Sequence, residues 1–318
     1  MGEPTVRLNP QVESSVQKIL LDKAIRLLQS VAFILPQEEY EKRGVKPYDY
    51  RIILVLCILR IFLRKTYADY EIEMRTDARI CVPLGLKMLP GKSTIQRGMH
   101  LFTMELLLQI NKNLIHDVIQ RKLNILIDAS GIRIIGKSIW YLIRIKKKIY
   151  RRECDKIHVA VCADLLLILN WRITQWNKND SPFFKKLLDP FKFLGVVIAD
   201  LAYSSRENMQ YVVDKNGAAF IPFKKNATAK SKGFPAWKFA FHVWKFCKTV
   251  YESIYHQRSK IEAVFSALKR RYGDALFCKT ATMRRKEMAL RFIAYNLKII
   301  IYYQYATENN LCLWVRAQ

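Results

Sequence analysis

One carboxylate, Glu262, stands among cations in the stretch Tyr255 to Arg271, YHQRSKIEAVFSALKRR. The stretch has no Gly or Pro, and Ile261, Val264, Phe265 and Leu268 recur at helical spacing. At about 100° per residue, with Tyr255 at 0°, Arg258 falls near 300°, Glu262 near 340° and Lys269 near 320°. A phenol, a guanidinium, a carboxylate and an ammonium therefore share one narrow stripe, and the apolar set lies in the neighbouring sector. A solvated basic face is the ordinary outcome of such a cluster. A single acid held among so many cations is not typical of one. Hard divalent ions take oxygen ligands, and phosphates take Arg and Lys, so the stripe has the parts for phosphodiester chemistry.

A lone Glu cannot hold a metal, so the elements that bring other acids to it matter. Leu123 to Ile127 reads as a strand ending in Asp128, Ala129, Ser130 and Gly131, with Ile132 to Ile135 continuing past a turn or bulge. Lys156 to Ala163 and Leu166 to Thr174 read as two further strands, with Asp164 in their connection. Asp180-Ser181-Pro182 opens a short helix over 182–189. Leu194 to Ala199 (LGVVIA) is an apolar strand that ends in Asp200. A helix over 205–215, a strand over 218–223, a helix over about 237–251 and a closing helix over 284–305 complete the order. An Asp after a strand is commonly a turn residue. Asp164 and Asp180 are read that way, and His158 as a hydrogen-bonded core histidine.

Residues 1 to about 120 read as helical. Ser14-x-x-Gln17 resembles a capping box. Asp49 can cap a helix from Tyr50 to about Arg64, and short pieces follow at 67–76 and 78–84. Ser93 is expected to cap a long helix reaching about Gln120. Short helices joined by tight turns suit a helix-turn-helix DNA reader and a plain helical packing domain equally. Gly91-Lys92-Ser93-Thr94 imitates the end of a phosphate-binding loop. Gly85 and Gly91 are one residue too far apart for that loop and no strand precedes them, so ATP binding is rejected.

Lys and Arg number 54 against 27 Asp and Glu in 318 residues, a net charge of +27. That excess implies an anionic partner, nucleic acid first and an acidic membrane surface second. The longest apolar run, Ile52 to Leu59, is too short to span a bilayer. Seven scattered cysteines without a CxxC pair read as reduced thiols in a cytoplasmic protein, and no signal peptide is visible.

Tyr255-x2-Arg258-x3-Glu262-x6-Lys269 resembles the signature of DDE transposases of bacterial and archaeal insertion sequences, in the insertion-sequence four and five superfamily. Asp200-Leu201-Ala202-Tyr203 resembles the family's second-acid motif and Lys156-Ile157-His158 its Lys-x-His strand. The resemblance is strong over about 122–300 and implies an α/β, ribonuclease H-like catalytic core over 121–318, closed by C-terminal helices. An N-terminal all-helical domain over 1–120 would bind DNA ends. It implies that Asp128, Asp200 and Glu262 are the catalytic acids and bind two Mg²⁺ or Mn²⁺ ions. It also implies that Arg258 and Lys269 contact phosphate and that Tyr255 orients or stacks on the strand. The implied partners are double-stranded DNA, as terminal inverted repeats and target, and a second copy pairing two ends, with the chain on the nucleoid. Two rivals are a ribonuclease H-like nuclease without strand transfer and an inactive DNA-binding derivative.

The basic stretch Lys137 to Lys156 includes Lys146, Lys147, Lys148, Arg151 and Arg152, interleaved with Trp140, Tyr141 and Tyr150. It is expected to form a DNA-tracking arm. On spacing alone, Arg258 is an exposed helix partner of Glu262, and its loss is expected to leave stability nearly unchanged.

Overall fold

The computed structural model describes residues 6–37, 47–119, 122–135 and 154–316. The chain forms two compact units, Ile119–Phe277 and a second made of Met1–Val118 with Cys278–Gln318.

The helical unit opens on β1 (Val6–Leu8), which pairs antiparallel with Trp314–Arg316 near the C-terminus. The helix Pro10–Gln17 is capped by Asn9, whose side chain accepts from Gln11 N–H, so the cap lies before the expected Ser14. The helix Tyr50–Phe62 begins at Asp49, which accepts from Arg51 N–H. It is apolar on nearly every side and is buried accordingly. Gly98 lets another helix approach it, since a Cβ there would meet Ile53 Cγ2 at 2.2 Å. The expected long helix from Ser93 is two helices, Lys92–Gly98 and Met104–Ile115. Thr103 breaks the run by accepting from Leu106 N–H and starting a new helix. The last helix, Ala281–Glu308, packs on the helices of this unit. Its Lys286 Nζ donates to the carbonyls of Met99 (2.9 Å) and His100 (3.1 Å), satisfying the end of Lys92–Gly98.

The second unit is built on a six-stranded mixed sheet. Its strands are β2 (Leu123–Ile134), β3 (Cys154–Cys162), β4 (Ile168–Gln175), β5 (Leu194–Ala199), β6 (Ala218–Phe220) and β7 (Ala275–Leu276). The order is β4-β3-β2-β5-β6, with β7 paired to β2 beyond β5. β2, β3 and β4 run antiparallel to one another in turn, whereas β5 and β7 pair in parallel with β2, and β6 in parallel with β5. β2 is one unbroken strand past Gly131, because β3 runs alongside it as far as Arg133. Where the β2–β5 ladder shifts, Asn124 Oδ1 accepts from Val196 N–H at 3.0 Å. Gly195 leaves room for that side chain, since a Cβ there would lie 2.5 Å from Asn124 Oδ1.

The helix Phe183–Leu188 packs on β3 and β4, and Ser259–Tyr272 packs on β2. The single helix expected over about 237–251 is divided at Cys247 into Pro235–Phe246 and Lys248–Tyr255. The signature stretch is divided as well. Tyr255 closes one helix, His256–Arg258 is a 3₁₀ turn, and Ser259–Tyr272 follows. A 3₁₀ turn advances about 120° per residue, so a uniform helical wheel misplaces Tyr255 relative to Glu262.

Candidate active site

The site lies at a break in the pairing of β2. Ile127 pairs with Ala199 of β5, and Arg133 is the first residue paired with β7. Between them, no strand of the described residues lies beside the edge of β2. Asp128 is the first residue of this gap, and the parallel register sets it next to Asp200, the residue after Ala199. The loop after Asp200 is fixed by side chains. Ser205 caps the helix Arg206–Asp214, and buried Asn208 donates to Tyr203 O (2.9 Å) and Ser181 Oγ (3.1 Å).

The helix Ser259–Tyr272 covers the gap. Asp128, Ala129, Ser130, Glu262, Phe265, Ser266, Lys269 and Arg270 line an open cleft of about 580 Å³. Arg258 spans two of the acids. Its Nη1 donates to Asp128 Oδ2 at 2.9 Å and its Nη2 to Glu262 Oε1 at 3.3 Å. Glu262 is the solvent-facing member, with its side chain 65% exposed against 15% for Asp128. Lys269 Nζ donates to Ser130 Oγ at 2.9 Å. Ser130 is the residue that sequence reasoning missed. Its one signal is the alternation Asp128-x-Ser130, which puts both on one face of a strand.

The electrostatics tie the acids together. Burial pushes the Asp128 carboxyl above the usual carboxylate range, against the Ala129 N–H and Arg258, and the charges of Asp200 and Glu262 push the same way. Tyr255 is raised by burial, against Arg258, and further by Asp200 and Asp128. Burial pulls Arg258 down, but Asp128, Tyr255, Asp200 and Glu262 together outweigh it and hold the guanidinium above its ordinary value. Tyr203 is buried, its phenol lacks a hydrogen-bond partner among the described residues, and burial with the charges of Asp180, Asp128 and Asp200 raises its pKa.

Asp164 sits exposed in the turn between β3 and β4, as expected. Asp180 does more than open a turn. Its carboxylate pairs with Lys156 Nζ and lies 3.4 Å from His158 Nδ1. Lys156 is thus engaged with Asp180 within the protein. His158 is fully buried, with Nε2 3.0 Å from Thr174 Oγ1 and its ring stacked on Phe183 at 4.5 Å. Burial holds it down at about 4. Lys146, Lys147, Lys148, Arg151 and Arg152 lie outside the described residues.

Three carboxylates, Asp128 within β2, Asp200 just after β5 and Glu262 on a helix, are the donor chemistry a hard divalent ion takes. Asp128 and Asp200 side by side fit such an ion. Among the described residues no three His, Cys, Asp or Glu side chains converge as a metal cluster. The positive charge beside Asp128 and Glu262 is the Arg258 guanidinium.

The second unit is an α/β unit that gathers acids at a gap in its sheet. Residues 120–297, more than half of the chain, match the family model of the transposase DDE domain, and the chain belongs to that family. Asp128, Asp200, Tyr255, Arg258, Glu262 and Lys269 all fall within the matched segment. Membership makes the chain an enzyme of DNA transposition, in a family generally dependent on divalent metal. No curated protein and no solved structure matches it. No helix among the described residues is long and apolar enough to cross a membrane.

Proposed function

We propose that this chain is an insertion-sequence transposase of the four and five superfamily, with a ribonuclease H-like core. It binds the terminal inverted repeats of its own element, cleaves to leave 3′-hydroxyl ends and joins those ends to target DNA. The observation that supports this best is the meeting of Asp128, Arg258 and Glu262, with Asp200 in register beside Asp128. Asp128 and Glu262, 134 positions apart in the chain, line one cleft.

Asp128, Asp200 and Glu262 would hold one or two Mg²⁺ or Mn²⁺ ions, which when bound activate an attacking oxygen and stabilise a leaving one. Arg258 keeps the acids together without DNA and offers its two-nitrogen fork to a phosphate when DNA enters. Lys269, held by Ser130, sets a point charge on the other side of the cleft. Tyr255, close to the charge of Arg258, orients the strand. The segment containing Lys146, Lys147, Lys148, Arg151 and Arg152 tracks the duplex. The helical unit reads the end sequence, and two copies pair two ends.

The test incubates the protein with DNA from the flanks of its own gene, with and without Mg²⁺. Joined products support the reading. Nicked products alone indicate a nuclease, and binding without cleavage indicates an inactive derivative.

A further inference from the structure

The helix Pro235–Phe246 carries aromatic rings on both of its sides. The inner side is satisfied: the ring of Phe223 lies 4.7 Å from Trp237, 5.3 Å from Phe241 and 5.2 Å from Trp244, between centroids. The outer side is not. Phe239 is 75% exposed and Phe246 72%. Seven residues apart, they point within about 20° of each other along the helix. His242 lies between them and stacks on Phe246 with an interplanar angle of 6°. Lys238 and Lys245 lie together on one side of this line, roughly 100–120° round the axis from Phe239, and Lys245 Nζ stands 5.7 Å from the Phe246 ring.

The charge along the segment that carries these rings has one sign. From Lys224 to Val250 the sequence holds Lys224, Lys225, Lys230, Lys232, Lys238, Lys245 and Lys248, and no Asp or Glu. The nearest acid on the following helix, Glu252, pairs with Lys248 at 3.6 Å. We propose that this face binds unpaired bases of single-stranded DNA, with Phe239 and Phe246 as stacking platforms and Lys238 and Lys245 on the adjoining phosphates. The charge selects the occupant. A second copy seated here would set lysines against lysines, whereas a single strand offers both an anionic backbone and flat apolar bases. This rests on the reading of the chain as an enzyme that processes DNA ends, where strands open.

The test uses the full chain, an about 12-nucleotide single strand carrying 2-aminopurine, and the matching duplex, titrated across a salt series. The Phe239→Ala/Phe246→Ala variant is expected to lose at least tenfold in single-strand affinity, together with the aminopurine quenching. It should keep its melting temperature, its duplex affinity within about twofold, and an unchanged salt slope. Lys238→Gln/Lys245→Gln should instead lower the single-strand salt slope by about 1.4. Wild-type single-strand binding by the Phe variant overturns the proposal, as does an equal loss on duplex. A shift of the Phe variant to a smaller species in sedimentation overturns it too, by making the face a contact between copies. Cleavage and joining by the wild-type chain are read alongside. If these fail while quenching is lost in the Phe variant, the functional reading falls and the stacking face stands; the reverse result removes the face alone.

Discussion

Replacing Arg258 by Ala tests how the site is held together. As an exposed helix pair with Glu262, Arg258 would contribute about 0.3–0.5 kcal/mol. Its main partner is instead Asp128, at 2.9 Å, with both side chains largely withdrawn from solvent. Removing one member of a buried pair costs about 3–5 kcal/mol, and a hydrogen bond to a charged group is worth about 1.5–3. Asp128 keeps the Ala129 N–H and can take up a proton, which caps the loss at roughly 2 kcal/mol. For a unit of this size that is about 4–8 °C in melting temperature. The loss should depend on pH. The folded pKa of Asp128 is raised, so its contribution is fully present below the unfolded value and is lost as pH rises through the folded one. Arg258 opposes that rise, so the variant, with a higher folded pKa, extends the loss to higher pH, and the two proteins converge in acid once both are protonated. Calorimetry at pH 7.5 and in acid reads this directly. Equal melting temperatures at pH 7.5, or a larger difference in acid, would refute the bridging role. Cleavage should fall at least tenfold, with Arg258→Lys recovering part of it because the fork is lost.

Three further outcomes follow from the same geometry. Asp128→Ala, Asp200→Ala and Glu262→Ala should each abolish cleavage in a gel assay and keep DNA binding, whereas Asp164→Ala should cleave normally. His158 is held neutral at about 4, so its contribution is present above its unfolded pKa and is lost as pH falls through the folded one. A urea titration series should show roughly 3 kcal/mol lost between pH 6.5 and 4, and His158→Phe should flatten it. DNA affinity should drop about 10³–10⁵-fold between 50 and 200 mM salt if roughly 6–10 phosphates are neutralised, and a flat response in anisotropy would count against a DNA surface.

The local elements were legible where one short-range rule decides them. The Asp49 cap and the strand LGVVIA stand where sequence places them, because a cap and an apolar run each need only their own neighbours. Asp200 is readable as a strand-end acid for the same reason, whereas Asp128, expected at the end of its strand, lies inside β2. What was not legible depends on distant partners. Gly131 looks like a turn until β3 is seen running beside it, and two-residue β7 has no pattern to detect. The Arg258–Asp128 bond joins residues 130 positions apart, so spacing offered only Glu262 as a partner. Asp180 looked like a turn residue because Lys156 and His158, which give it a second role, lie on another strand.

The central claim is that Asp128, Asp200 and Glu262 act at one point as ligands of a divalent ion. Loading the protein with Fe²⁺ and adding ascorbate generates hydroxyl radicals at the ion, and mass spectrometry locates the backbone cuts. The account predicts cuts clustered near residues 128, 200 and 262, suppressed by excess Mg²⁺ and lost in Asp128→Ala. Cuts clustered around Asp180 and His158, or cuts unaffected by Asp128→Ala, would contradict it.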